Sequence, residues 1–165
     1  MDFGRCDWCG GGLALCRRGA RFCSTKCRVY WHREAAKIPA RMTSERRWVR
    51  ADGKRPIAVD GSPASSTDAG TWSRFAEVRA GRGDGFGFML GGGVGCYDLD
   101  HVSDADARDF IAGLTEPVIY AERSMSGEGV HVFVEAPEER GWKRGNVERY
   151  TRERFIRMTG NRFEF

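Results

Sequence analysis

The chain has 165 residues, 41% hydrophobic and 30% charged, which suits one ordinary folded domain, or a small domain with an appendage, and excludes a disordered chain. It has no run of about 18 apolar residues, so no membrane span and no membrane partner are expected. Met1-Asp2-Phe3-Gly4-Arg5 lacks the apolar stretch of a secretion signal, which makes a cytoplasmic location the expectation. The net charge of +4 hides a segregation: residues 1–56 carry 14 Lys or Arg against 5 Asp or Glu, residues 57–139 carry 5 against 15, and residues 140–165 carry 8 against 3. Only 4 of the cations are Lys, and the Arg fork is the side chain suited to bidentate phosphate contact. Two basic zones around an acidic middle fit a polyanion held partly through metal ions; charge placed for solubility is the plainer alternative.

Five of the six cysteines fall in the first 27 residues. Cys6-Asp7-Trp8-Cys9 is a CxxC and Cys23-Ser24-Thr25-Lys26-Cys27 a CxxxC, with thirteen residues between them. Two closely spaced thiolate pairs joined by such a loop suit a tetrahedral zinc site, and Gly10-Gly11-Gly12 supplies the turn after Cys9. The paired spacings favour Cys6, Cys9, Cys23 and Cys27 as ligands, with Cys16 and His32 open as replacements for one of them. Four protein ligands leave no open position, so the zinc is expected to be structural. Disulfides need an oxidising compartment, and a redox CxxC needs a surrounding βαβ pattern; the sequence offers a sign of neither.

Residues 25–37 lack Gly and Pro and read as a helix ended by Pro39. Val29, Tyr30, Ala35, Ala36 and Ile38 are its expected packing face, and Arg28, Arg33, Lys37 and Arg41 make it basic. Such a helix on a zinc knuckle either meets DNA or RNA or merely completes a small module. Residues 1–41 are therefore expected to be a zinc-knuckle module, with residues 39–47 as linker.

The body, residues 46–165, reads as short elements. Strands are expected at 47–50 and 56–59 around a turn at Asp52-Gly53, then a polar loop over 60–70, then a helix capped by Thr71 with Trp72, Phe75, Ala76 and Val78 at helical spacing. Apolar runs at 86–90 and 94–99 are joined by Gly91-Gly92-Gly93. Ser103 caps a helix over 104–114, with acids in its first turn. Strands follow at 118–122, 130–135, 147–150 and 154–158, the last two as a pair. The predicted class is α+β, a mixed or antiparallel sheet with helices on one face.

The densest chemical signal is Cys96-Tyr97-Asp98-Leu99-Asp100-His101. On a strand, Asp98 and Asp100 point to one face about 7 Å apart and suit a divalent cation that grips a triphosphate. Ser124-Met125-Ser126-Gly127-Glu128-Gly129 is a turn able to offer amides and hydroxyls to phosphate, and His131 follows it within an apolar strand. Glu148 is a third acid on a strand, and Arg154 and Arg157 add guanidinium groups near a turn. Lys54 and Arg154 are phosphate contacts by charge and position.

Taken in order, these segments resemble the archaeo-eukaryotic primase superfamily, in its bifunctional primase-polymerase branch from phages and mobile elements. The likeness lies in Tyr97-Asp98-Leu99-Asp100, Ser126-Gly127-Glu128-Gly129-Val130-His131, Glu148-Arg149-Tyr150 and Arg154-Phe155 through Thr159-Gly160, over about residues 46–163. Upstream, Asp52-Gly53-Lys54-Arg55-Pro56, the 60–68 loop, Thr71-Trp72 and Phe86-Gly87-Phe88 fit as well. The resemblance implies an RRM-like core and template-directed nucleotidyl transfer, a DNA primase or polymerase. It implies Asp98, Asp100 and Glu148 as ligands of two Mg²⁺ or Mn²⁺ ions, with His131, Ser126 and Gly127 at the nucleotide's phosphates. Implied partners are a single-stranded or primed DNA template, nucleoside triphosphates, and a separate helicase or C-terminal primase subunit in a bacterial host. The chain ends soon after Thr159-Gly160, which leaves three expectations: a minimal active domain, one half of a split primase, or a non-catalytic zinc-dependent DNA-binding replication factor. A metal nuclease fits less well, because a nicking enzyme needs paired histidines and His131-Val132-Phe133 supplies one.

Overall fold

The computed structural model describes residues 6, 8, 9, 11–35 and 37–165. Among them the order is α1 (Thr25–Ala35), α2 (Ala40–Thr43), β1 (Trp48–Asp52), β2 (Arg55–Ile57), α3 (Phe75–Val78), β3 (Gly85–Met89), β4 (Val94–Leu99), α4 (Asp104–Ala112), β5 (Val118–Arg123), β6 (Val130–Glu135), β7 (Trp142–Arg144), β8 (Val147–Tyr150) and β9 (Phe155–Met158). The class is α+β, and every strand pairing is antiparallel. Met1 to Arg5, Asp7, Gly10 and Ala36, used in the sequence reading, lie outside the described residues.

The strands divide into two sheets, β2-β1-β3-β9 and β5-β6-β4-β8-β7. In the second, the chain leaves β4, crosses through α4 to β5, and returns as β6 into the gap between them, which is a split β-α-β unit. Side-chain alternation then sorts the core. Tyr97 and Leu99 of β4, with Val130, Val132 and Val134 of β6, pack against Ala107 and Ile111 of α4. Val94 and Cys96 of β4 and Phe133 of β6 point the other way, onto Phe86, Phe88, Ile156 and Met158 of the first sheet. Cover on both faces explains why β6 reads as a nearly unbroken apolar run.

The sheet partition separates strands that are neighbours in sequence, including the expected pair at 147–150 and 154–158. β3 and β4, joined by three glycines, do not form a hairpin: the chain changes sheets there, with φ of +131°, +63° and +85° at Gly91, Gly92 and Gly93 and a single bridge from Gly91 to Val94. β8 and β9 also part, β9 pairing with β3 and β8 with β4 and the unforeseen β7. The expected helix from Thr71 shrinks to a turn of 3-10 helix (Ala69–Thr71) and the short α3. Ser73 is the cause: it exchanges two backbone hydrogen bonds with Trp48, at 2.7 and 3.1 Å, and so stays extended. The cap moves to Arg74, whose N–H donates to Glu77 Oε2 at 2.7 Å.

The N-terminal segment shares a core with the sheets. Val29 and Tyr30, expected to pack, are exposed, whereas Trp31 is buried with its ring 5.5 Å from Phe86. The expected linker contains α2, whose Met42 is fully buried and accepts the Trp48 indole N–H at its carbonyl, 3.0 Å away. Trp31, Ile38 and Met42 thus join Trp48, Phe86 and Phe88 in one hydrophobic cluster.

Candidate active site

The register of the five-stranded sheet places ionisable side chains in a row. Asp98 of β4 lies opposite His131 of β6 on one side and Glu148 of β8 on the other. Glu122 of β5 is opposite His131, and Lys143 of β7 is opposite Glu148. Directly opposed residues share a face, so Glu122, His131, Asp98, Glu148 and Lys143 run across five strands on one side. Two residues along each strand the same face carries Tyr120, Phe133, Cys96 and Tyr150, of which the first three are buried and Tyr150 packs against them. The inner face of the sheet therefore changes from apolar to ionic within one step of the pleat.

His131 is buried, with Nδ1 3.3 Å from Glu122 Oε1 and Nε2 3.6 Å from Asp98 Oδ1. Burial opposes the imidazolium, but the Glu122 hydrogen bond and charge, with Asp98 and Asp100 behind them, prevail and raise its pKa. The Asp98 pKa is raised as well: burial disfavours the carboxylate, His131 and Arg154 favour it, and repulsion from Asp100 and Glu148 adds to burial. Glu148 is held low by hydrogen bonds from Lys143 and from the Tyr150 hydroxyl, the latter at 2.7 Å. The Arg154 guanidinium lies 4.4 Å from the Tyr150 ring centre.

Asp98 and His131 of this row open onto a cleft of about 620 Å³ between the sheets, ample for a nucleotide. Asp98, Asp100 and His131 line one side, Lys54, Arg154 and Arg157 the other, and Ser124 to Ser126 close an end. Lys54 is presented by the β1–β2 turn. Arg157 is fixed by Asp84, which accepts from its Nη1 at 3.0 Å. Ser124 Oγ accepts the Gly129 N–H at 3.1 Å, and Gly129 itself runs so close to β4 that a Cβ there would sit 2.5 Å from the Leu99 carbonyl oxygen.

Of the residues singled out from the sequence, Asp98, Asp100, His131, Ser126, Lys54 and Arg154 line this cleft. Glu148 sits beside Asp98 in register but is not among the lining residues. Gly127 lines a smaller cavity of about 210 Å³ on the far side of the same loop, shared with Cys6, Trp8 and Cys9. Glu122 and Lys143 were missed. The available signal for Glu122 was an acid in the apolar strand Val118-Ile119-Tyr120-Ala121-Glu122, placed to pair with a strand that holds a histidine.

The cysteines are drawn tighter. Cys6, Cys9, Cys23 and Cys27 have all four sulfurs within 4.8 Å of one another, and they are the group of three or more His, Cys, Asp or Glu side chains so gathered among the described residues. Cys23 Sγ is 3.5 Å from both Cys9 Sγ and Cys27 Sγ, close to the roughly 3.8 Å edge of a tetrahedron of thiolates around zinc. Cys16 stands apart, its Sγ 3.9 Å from the Cys23 carbonyl, and the His32 ring packs edge-on to Trp31. Crowding splits the thiols. Burial opposes the Cys6 thiolate, but backbone hydrogen bonds led by Cys9 and Cys23 bring its pKa down to about 7. Hydrogen bonds to Cys27, Cys9 and Cys6 push Cys23 up to about 12. A bound cation removes that conflict, so the donor set fits zinc.

The chain matches the family of bifunctional DNA primase/polymerase N-terminal domains over residues 14–162. That span holds the whole ionic row and, of the clustered cysteines, Cys23 and Cys27. No curated protein matches the chain. The match covers most of the chain, which therefore belongs to the bifunctional DNA primase/polymerase family, as the ordered motifs implied.

Proposed function

We propose that this family member is itself a template-directed nucleotidyltransferase that makes or extends primers on DNA from nucleoside triphosphates. The observation that carries the reading is the cleft in which Asp98, Asp100 and His131 face Lys54 and Arg154. In the reaction a primer 3′-hydroxyl oxygen bonds to the α-phosphorus, the bond to the β-phosphate oxygen breaks, and pyrophosphate leaves with the electron pair. The hydroxyl proton is lost to water in the open cleft.

Asp98, Asp100 and Glu148 are the residues that would hold two Mg²⁺ or Mn²⁺ ions, since carboxylate oxygens are the hard donors these ions take. Burial raises the Asp98 pKa and repulsion from Asp100 and Glu148 adds to it; a cation relieves that repulsion, which fits such a role. Such ions, when bound, favour the attacking alkoxide and offset charge on the departing pyrophosphate. As the imidazolium that Glu122 favours, His131 donates from Nε2 to a phosphate oxygen, the Ser126-Gly127 turn offers further donors, and Lys54 and Arg154 balance the triphosphate charge. Cys6, Cys9, Cys23 and Cys27 hold one structural zinc ion. Replication of a phage or mobile element in the cytoplasm of a bacterial host, with a separate helicase or C-terminal primase subunit, is proposed from the motif resemblance.

De novo priming and primer extension with Mg²⁺ or Mn²⁺ test this. Wild-type protein is expected to synthesise, and Asp98→Ala to lose about a hundredfold or more, beyond what loss of an outer-shell partner costs. Wild-type protein inactive with every metal, template and partner sinks the reading. A second reading, a zinc-dependent DNA-binding replication factor without catalysis, is favoured by the hold of Lys143 and Tyr150 on the Glu148 carboxylate. It is met by salt-dependent DNA binding that survives Asp98→Ala and weakens when Cys23 and Cys27 are changed.

A further inference from the structure

Glu122 is a fully buried carboxylate whose oxygens are committed. Oε1 accepts the Thr159 N–H at 3.0 Å and lies 3.3 Å from His131 Nδ1, while Oε2 accepts the Gly160 N–H at 2.9 Å. Both amides belong to the turn after β9, where Gly160 takes φ +72°. The main chain therefore anchors the carboxylate independently of the ring. An ionised carboxylate only accepts hydrogen bonds, so the imidazole nitrogen facing it carries a proton. The other nitrogen, Nε2, is left toward Asp98 and the cleft.

We propose that Glu122 is a positioning residue for the triphosphate site: it grips the His131 ring through Nδ1, turns Nε2 into the cleft, and itself touches no substrate. This rests on the reading of His131 as a phosphate contact. The arrangement also joins two parts of the fold. The Thr159-Gly160 turn that seats Glu122 continues to Asn161, whose side-chain amide donates to the Trp8 carbonyl at 3.5 Å, beside the cysteine cluster.

Glu122→Gln is the discriminating change. Glutamine brings one acceptor oxygen and one amide donor to a place where three donors converge, so either the ring or the Gly160 N–H loses its partner. Binding of a non-hydrolysable deoxynucleoside triphosphate with Mn²⁺, measured by calorimetry without template, is expected to weaken about tenfold in Glu122→Gln. In a His131→Ala background the same change should cost less than about twofold, because the group it acts through is gone. Equal losses in the two backgrounds overturn the proposal, since they would mark Glu122 as a general structural residue.

A second measurement needs neither the Glu122 variant nor nucleotide. Nitrogen NMR of the histidine rings in wild-type protein, with His131→Ala for assignment, is expected to show His131 protonated at Nδ1. An unprotonated Nδ1 overturns the proposal. If wild-type protein binds no triphosphate, the phosphate-contact reading fails, and the ring spectrum still decides whether Glu122 sets the orientation of His131.

Discussion

Four thiols crowd within 4.8 Å at the N-terminal turn, whereas Asp98, Asp100 and Glu148 are strung along β4 and β8, with Lys143 and Tyr150 occupying the last of them. Both are sets of donors that repel one another when ionised, and both bear perturbed pKa values. The difference is closure. The cysteines supply every position of a tetrahedron, so a metal there finds no place for substrate and serves the fold. Asp98 and Asp100 line an open cleft beside basic residues, so a metal there leaves positions for phosphate oxygens. On the proposed reading, one polypeptide would satisfy crowded anions in two ways, by a closed site that keeps its metal and by an open one that exchanges it.

The strongest way to break this contrast is to remove the metal from the closed site. Stripping zinc, or making Cys23→Ser, is expected to lower the melting temperature by about 10 °C or more, given the large folding contribution of structural zinc sites. Metal analysis of wild-type protein should find one zinc per chain, absent from the variant; an unchanged melting temperature in a zinc-free chain would make the cluster dispensable. Next in size is Trp31→Ala, expected to cost about 3–5 kcal/mol by denaturant unfolding, because the ring packs on Phe86 in the core shared with the sheets. A cost below about 1 kcal/mol would separate the N-terminal segment from that core.

The open site should respond in the opposite direction. A carboxyl whose folded pKa is raised favours folding when protonated; that contribution is full below its unfolded value and is lost as pH rises through the folded value. Metal-free Asp98→Asn is therefore expected to melt a few degrees above wild type at pH 7, with the gap closing on acidification, while primer synthesis is lost. A lower melting temperature across that range would show that Asp98 serves the fold. Smallest is Lys143→Ala, whose exposed, solvent-screened ammonium should contribute little to stability by thermal melting. Its informative readout is Glu148, held low chiefly by the Lys143 hydrogen bond, whose titration should move upward by carboxylate NMR.

Much of the local structure was legible because its causes are local. The apolar run Val94-Gly95-Cys96-Tyr97-Asp98-Leu99 marks β4, Ser103 caps α4 by accepting the Asp106 N–H, and the cysteine spacings announce their cluster. The partition into two sheets was not legible. Strands β3 and β4 are neighbours in sequence and both apolar, and nothing local says that one pairs with β9 and the other with β6 and β8. The site divides the same way. Asp98, Asp100 and His131 stand in recognisable surroundings, whereas Glu122 beside Arg123 reads as a solvated strand end. Its burial depends on amides that arrive some 37 residues later.

The cleft's two walls are cut from different sheets, and the chain crosses between them at Gly91-Gly92-Gly93 and again over residues 151–154, between β8 and β9. The row of ionisable residues lies wholly on one wall. Lengthening or shortening either seam would re-space the walls without altering a single member of that row. Gap width and the ionic row are thus encoded in separate stretches of sequence, with Arg154, inside the second seam, the cleft cation that a change of gap width would carry along.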